Sequence, residues 1–344
     1  MKLDFQPLVS IVTPVYNGEK YLAECIESVL AQTYENWDYV IVNNCSSDRS
    51  LKIAQDYAKK DSRIRVHNNK EFLTMCENFN HALLQISADS KYCKVLHADD
   101  MLFPTCIADM VALNEENPSV GIVGAYVLEG VRVKCDGLPK NISVLSGREI
   151  ARLSLLNLSP VVGGLYVFGS PTSLLIRSDI IRCRNPFYNE KYLQVMDEEV
   201  CYHLLKESDF GFINQVLTYS RVHNESTTSF NEILMRRRFE ELMLLIEYGP
   251  VYLTGKEYRG RLAQKLDHYY RFLARSAFEA KGKEFWNFHK NGLESLGFQF
   301  SWSKVAKRMS KREMARKLFS WMMHPQIPVS RVLGSLNKRE GKTT

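Results

Sequence analysis

The first 126 residues alternate short apolar runs with amphipathic ones, and no other feature of the chain narrows its fold so far. Residues 9–15, VSIVTPV, read as a strand; in 19–32 the apolar Leu22, Ile26, Val29 and Leu30 recur at the 3.6-residue period of a surface helix. A second strand covers 37–42, and Ser46 or Ser47 is placed to cap a helix reaching about residue 60. A strand at 63–67, a helix at 72–86, a strand at 92–96, a helix at 104–116 and a strand at 120–126 complete the series. Strands alternating with helices in this way predict βαβ units, an α/β fold whose mixed, mostly parallel sheet is flanked by helices. Ligands of such sheets sit beyond the carboxyl ends of the strands, and that is where chemistry is to be sought.

From 130 to 224 the pattern is more mixed, with a hairpin near 131–144, strands at 172–176 and 215–222, and a helix at 195–206. Beyond residue 230 strand signals stop, and four helices follow at 231–248, 256–281, 283–295 and 303–323. The 344 residues thus divide into an α/β domain, 1–230, and a helical C-terminal extension, 231–344. With 45% hydrophobic and 24% charged residues, the composition is that of a globular chain and excludes disordered, collagen-like and disulfide-scaffold classes. The eight cysteines form no CxxC pair and read as free thiols of a reducing compartment. The opening MKLDFQPLVS lacks the charged start and apolar middle of a signal peptide, so a cytoplasmic location is expected. In the uncharged stretch 153–176, Pro160, Pro171, Gly163, Gly164 and Gly169 argue for buried strand and loop and against a membrane span. The formal charge of +6 is a property of the tail: residues 301–344 hold eleven Lys or Arg against Glu313 and Glu340, net +9, leaving 1–300 at net −3. No nucleic-acid partner is expected.

Three clusters fall at strand ends. Thr13-Pro14-Val15-Tyr16-Asn17-Gly18 closes the first strand, offering backbone amides to a phosphate and a ring for stacking, or simply turning the chain into a helix. Asn43-Asn44-Cys45-Ser46-Ser47-Asp48 closes the second with a polar group that also suits a helix cap. Leu96-His97-Ala98-Asp99-Asp100 places two adjacent carboxylates directly after an apolar strand. Such neighbours repel unless a cation screens them, and their hard oxygens suit Mg²⁺ or Mn²⁺ bridging to a diphosphate; a helix start ahead of Pro104 is the plainer alternative.

The order and spacing of VSIVTPVYNGEKYLAECIESVLAQTY, NNCSSDRS and HADDMLFP resemble the inverting family 2 nucleotide-sugar glycosyltransferases of the Rossmann-like GT-A fold, over roughly residues 8–225. The resemblance implies that Thr13, Pro14, Tyr16 and Asn17 lie along the nucleotide, that Asn44 stands where an acid often reads the base, and that Asp99 and Asp100 form the metal and ribose site. His97 replaces the first acid of the family's Asp-x-Asp motif, and Asn43-Asn44 replaces a frequent Asp-Asp. The segment Gly169-Ser170-Pro171-Thr172-Ser173 resembles the lining of the sugar and acceptor side. Tyr219-Ser220-Arg221-Val222-His223-Asn224 matches a strand ending in Arg-x-His, which implies Arg221 at the diphosphate and His223 at the metal.

Inverting transfer also needs a base for the acceptor hydroxyl. The acidic cluster Asp197-Glu198-Glu199 opens a helix where the resemblance places that acid, with Asp197 preferred and Glu198 and Glu199 as alternatives; acids drawn to the positive end of a helix dipole are the competing account. The implied protein is a metal-dependent hexosyltransferase that uses Mn²⁺ or Mg²⁺. It moves sugar from a nucleotide-sugar donor, UDP-linked by preference, to a glycan or lipid-linked saccharide acceptor in bacterial surface polysaccharide synthesis. A nucleotidyltransferase and a non-catalytic nucleotide-sugar-binding protein are the rival readings. In 301–344, Trp302, Phe319 and Trp321 interleave with Lys304, Lys307, Arg308 and Arg316, a pattern that fits either an anionic membrane surface at the inner face of the plasma membrane or packing on the catalytic domain.

Overall fold

Strand β1 (Val9–Val15) is wholly buried and leads through helix α1 (Leu22–Leu30) to β2 (Trp37–Asn43), which pairs with it in parallel from Val9↔Trp37 to Val15↔Asn43. Unbroken apolar runs of this kind belong to strands covered on both faces. The structure is a computed structural model and describes residues 6–136, 138–158, 167–222, 234–279 and 281–309. Helix α2 (Ser50–Ala58), β3 (Ile64–Asn68), α3 (Met75–Leu83) and β4 (Tyr92–Val95) follow. Next come β5 (Met101–Leu102), α4 (Cys106–Glu116), β6 (Val120–Glu129), β7 (Arg132–Lys134), β8 (Val144–Leu145), α5 (Gly147–Leu156), β9 (Leu174–Arg177), α6 (Ser178–Arg182), α7 (Met196–Leu204) and β10 (Asp209–Ser220). The sheet runs β3-β2-β1-β4-β9-β6-β10-β5, with β7 on β6 and β8 on β10. The longer strands pair in parallel, while β9 runs against β4 and β6. Strand order reverses at β1, with β2 and β3 on one side and β4 on the other, so a crevice opens at the carboxyl ends of β1 and β4.

The main core lies on one face of this sheet. Val9, Ile11 and Val15 of β1 and Tyr39 and Ile41 of β2 pack with Leu22, Cys25, Ile26 and Val29 of α1 and with Met110 and Val111 of α4. Proline in a central strand is rare because it cannot donate to the ladder. Pro14 shares the direction of Val12, whose carbonyl accepts from Leu96, and β4 pairs with β1 only as far as Val12. The missing N–H therefore falls where the ladder has already stopped.

Several elements differ from the sequence reading. The hairpin lies between β6 and β7, with Glu129 opposite Arg132 and Gly130 supplying the left-handed turn residue (φ 57°); β8 pairs with β10 instead. The strand expected from 172 begins as a short 3-10 turn, Pro171–Ser173, before β9. Helix α2 is not capped by Ser46 or Ser47; Asp48 accepts from the Ser50 amide at 2.9 Å. Among the described residues, no helix is long and apolar enough to cross a membrane.

The chain divides into two compact units, Met1–Glu232 with Glu240–Arg261, and Ile233–Phe239 with Leu262–Thr344. Most of helix α8 (Arg237–Tyr252) belongs to the first, where the Tyr252 hydroxyl donates to the Tyr202 carbonyl. The second contains the later part of α9 (Gly255–Phe278), α10 (Lys283–Ser295) and α11 (Trp302–Ala306) around Leu273, Phe285 and Leu293. His289 is fully buried there, with Nε2 donating to the Leu234 carbonyl (2.8 Å) and Nδ1 accepting from the Tyr269 hydroxyl (2.5 Å). These two partners fix the neutral ring.

Candidate active site

At the crevice, the turns after β1 and β2 are laced together. The amides of Asn17, Gly18 and Glu19 donate to Ser46 Oγ (3.0 Å), Ser50 Oγ (2.8 Å) and Asp48 Oδ2 (2.9 Å), and Asn17 Oδ1 accepts from the Ser47 amide (2.9 Å). Asn17 and Cys45 both adopt left-handed backbone (φ 51° and 54°), a conformation that persists only where surroundings impose it. The lacing corrects one expectation: these amides already have acceptors and are not open donors for a phosphate. Thr13 shares the parity of Ile11 and Val15, and its hydroxyl meets Tyr39 Oη at 2.8 Å in the core. Pro14 is likewise buried within β1. Tyr16, at 53% exposure, and Asn17 are the residues of this group that face solvent.

Asn44 is buried and hydrogen-bonded through both amide atoms. Its Oδ1 accepts from the Leu73 amide (2.9 Å) and Asn69 Nδ2 (3.0 Å), while its Nδ2 donates to the Leu73 carbonyl (2.8 Å). It therefore fixes the 69–73 loop. That loop carries Phe72, 59% exposed and edge-on to Tyr16 with ring centroids 5.0 Å apart. Phe72 escaped the sequence reading because an aromatic residue before a helix carries no signal of its own.

The carboxylate cluster follows β4. Asp100 is buried, with Oδ2 accepting from Thr172 Oγ1 (2.7 Å) and Oδ1 from the Arg221 amide (3.1 Å); His97 Nδ1 stands 3.5 Å from Oδ2. Burial pushes the Asp100 carboxyl up, His97 opposes that shift and Asp99 adds to it. His97, Asp99 and Asp100 each offer a ligand atom, and these atoms lie within 4.8 Å of one another. The Arg221 guanidinium donates to the Asp99 carbonyl (3.1 Å) and to Glu24 Oε2 (2.6 Å) and lies over the Tyr21 ring at 4.4 Å. Glu24, a surface helix acid in the sequence, thus holds a cation beside the cluster. His223 lies outside the described residues.

Asp197, Glu198 and Glu199 open α7. Asp197 lines a cavity of about 10 Å³ with Pro171, Tyr188 and Cys93, while the adjacent Thr172 holds Asp100, so the 3-10 turn joins the two acidic groups. Glu199 is employed otherwise. Both of its oxygens accept from Arg184 Nη2 (2.9 and 2.7 Å), and Tyr248 also donates to it. A carboxylate so paired holds α7 and α8 together.

A family model described as "Glycosyl transferase family 2" matches residues 10–184, which include β1, the laced turns and the carboxylate cluster. The chain belongs to glycosyltransferase family 2. An uncharacterized glycosyltransferase of Haemophilus influenzae is 26% identical over 226 residues, covering 65% of this chain and 68% of the relative. Of two further curated relatives the chain spans 44% and 35% of the length. Among solved structures, S. aureus TarS 1-349 in complex with UDP-GlcNAc aligns with a TM-score of 0.59 at 16% identity, over 90% of this chain and 83% of that 1-349 chain. The mannosyltransferase PcManGT from Pyrobaculum calidifontis, in complex with GDP-Man and Mn²⁺, aligns at 0.52 and 12% identity, over 94% and 89%. At such identities the two structures establish the shared fold, the expected GT-A arrangement of a mostly parallel sheet flanked by helices.

Proposed function

We propose that this glycosyltransferase moves a hexosyl group, with inversion, from a nucleoside-diphosphate sugar to a hydroxyl of a glycan or lipid-linked saccharide in bacterial surface polysaccharide synthesis. UDP is the favoured nucleotide. The observation that carries the reading is the His97, Asp99 and Asp100 cluster that follows β4. The donor set fits a divalent cation, because a buried carboxylate beside a second acid is stabilised by positive charge. Asp99, Asp100 and His223 would hold Mn²⁺ or Mg²⁺. When bound, the ion supplies charge that offsets the departing diphosphate.

Tyr16 stacks on the base, Asn17 and Asn44 shape its surroundings, and Arg221 adds charge at the diphosphate; Thr13 and Pro14 support from within β1. As the acceptor oxygen bonds to the anomeric carbon and the bond to the diphosphate oxygen breaks, the acceptor proton passes to Asp197. Glu198 is the alternative base, and the pairing of Glu199 disfavours it. The expected boundary at 230 gives way to the compact unit Met1–Glu232 with Glu240–Arg261, which would form the catalytic domain. The helical extension 231–344, whose segment 310–344 lies outside the described residues, brings the enzyme to the inner face of the plasma membrane, where a lipid-linked acceptor is confined.

The test is a thermal-shift screen of UDP-, GDP- and TDP-sugars with and without Mn²⁺. A donor at a hundred times its Kd adds about 2.7 kcal/mol, and each kcal/mol moves the melting point by about 2–4 °C. UDP release from UDP-sugar without acceptor separates the enzyme from a pure binder, and silence toward every donor would overturn the reading.

A further inference from the structure

We propose that the cleft at the amino end of β4, the end away from the carboxylate cluster, is a second ligand site that takes a small hydroxylated phosphate monoester of monosaccharide size. The site shares no residue with the transferase reading and stands without it.

The cleft has a volume of about 410 Å³, inside the range of roughly 300–1,000 Å³ that small-molecule sites occupy. Lys91 directly precedes β4, Asn114 and Glu115 come from the end of α4, and Arg177, opposite Tyr92 in the register, leads from β9 into α6 with Asp179 and Arg182. The charges of this lining do not cancel. Lys91 pairs with Glu115 (2.6 Å) and Arg177 with Asp179 (2.5 Å). Arg182 is the excess cation: its Nη2 donates to the Ser87 and Ser90 carbonyls (2.7 and 3.1 Å) and to Ser90 Oγ (3.1 Å), and no carboxylate among the described residues pairs with it. Asn114 adds an independent observation. It is 2% exposed, and its Nδ2 has no hydrogen-bond partner among the described residues, whereas buried polar groups are nearly always satisfied.

These groups specify the ligand. A guanidinium presents its N–H donors as a fixed fork that oxyanions match, and the amide adds a further donor, so acceptor oxygens with negative charge are called for. A phosphate carries three such oxygens. Glu115 and Asp179 line the same cleft as acceptors, and a carboxylate has about four lone-pair sites, so hydroxyl donors suit what their cations leave over. The oxyanion is therefore expected on a hydroxylated body and not on an apolar one.

The experiment is isothermal titration of the full chain in excess Mn²⁺ and UDP, with glucose 1-phosphate, glucose, glucuronate and inorganic phosphate as probes. Glucose 1-phosphate should bind more tightly than glucuronate or inorganic phosphate, and glucose should not bind. Arg182→Met should weaken glucose 1-phosphate by about tenfold or more, the loss of a charge-assisted hydrogen bond. Because Arg182 also ties down residues 87–90, Asn114→Leu is the second variant. It removes the amide and leaves no unmet donor, so the melting point should hold or rise while affinity falls severalfold. A lowered melting point with unchanged affinity would give Asn114 a packing role only and overturn the proposal. Binding that excess UDP abolishes would belong to the crevice and overturn it too, as would inorganic phosphate binding as tightly as glucose 1-phosphate, an adventitious ion only. Absence of glucose 1-phosphate binding at millimolar concentration overturns the site, whether or not the chain releases UDP from UDP-sugar.

Discussion

Replacing Glu199 by glutamine separates scaffold from chemistry within the acidic start of α7. The Glu199 side chain is 1% exposed and its partner Arg184 15% exposed, and Arg184 Nη1 has no partner among the described residues. Glu199→Gln therefore leaves a largely buried guanidinium facing a neutral amide. Breaking a buried pair from one side costs about 3–5 kcal/mol; glutamine keeps one acceptor, so about 3 kcal/mol applies. At about 2–4 °C per kcal/mol the melting point falls by roughly 6–12 °C. Thermal and urea unfolding of the parent, Glu199→Gln, Arg184→Met and the double variant would measure it. The double variant should lose less than the two single losses combined, because neither charge is left alone. Turnover per folded molecule, taken well below both transitions, should stay close to that of the parent. An unchanged melting point with turnover down roughly 10²-fold, the size of a general-base contribution, would place the base at Glu199 and refute the reasoning.

Asp197→Asn should lower turnover by roughly 10²-fold or more while donor affinity, read by titration, changes little; near-normal turnover with a dead Glu198→Gln would move the role to its neighbour. Burial lowers the His289 pKa from 6.5 to about 4, so the ring is neutral in the fold but takes a proton below pH 6.5 in the unfolded chain. Stability from this group is complete above pH 6.5 and falls by about 1.4 kcal/mol per pH unit toward pH 4, a slope that unfolding curves of His289→Gln should lack. The full chain should co-sediment with anionic vesicles and be released by salt, and a chain ending at Gln299 should not; equal behaviour of the two would return the tail to a packing role.

The series of strands and helices up to residue 126 was legible because each element carries its own period, and β1, β2, α1 and α4 formed where those periods placed them. Helix α5 was missed although Ser146 and Glu149 give a cap signature, the Ser146 hydroxyl accepting from the Glu149 amide; the uncharged stretch beginning at 153 masked it. Alternation places the Thr13 side chain on the face shared by Ile11 and Val15.

Asn44 and Asp100 mark the real limit of the sequence. Both stand in motifs that sequence reading found, yet their roles depend on partners 29, 72 and 121 residues away: Leu73 for Asn44, Thr172 and Arg221 for Asp100. A motif identifies which groups are available, and only the closed sheet decides which of their lone pairs remain. The Asp100 carboxylate spends an acceptor on the 3-10 turn that precedes β9 and another on the end of β10, so the cluster exists as a unit only once β9 and β10 have joined the β1–β4 half of the sheet. Thr172→Val tests this dependence: it removes a hydroxyl that serves both Asp100 and the His97 amide, lies outside the ligand set, and should weaken Mn²⁺ binding by about tenfold or more, as loss of an outer-shell partner does. Unchanged Mn²⁺ affinity in a folded Thr172→Val variant would show that the loop ending β4 orders the cluster by itself.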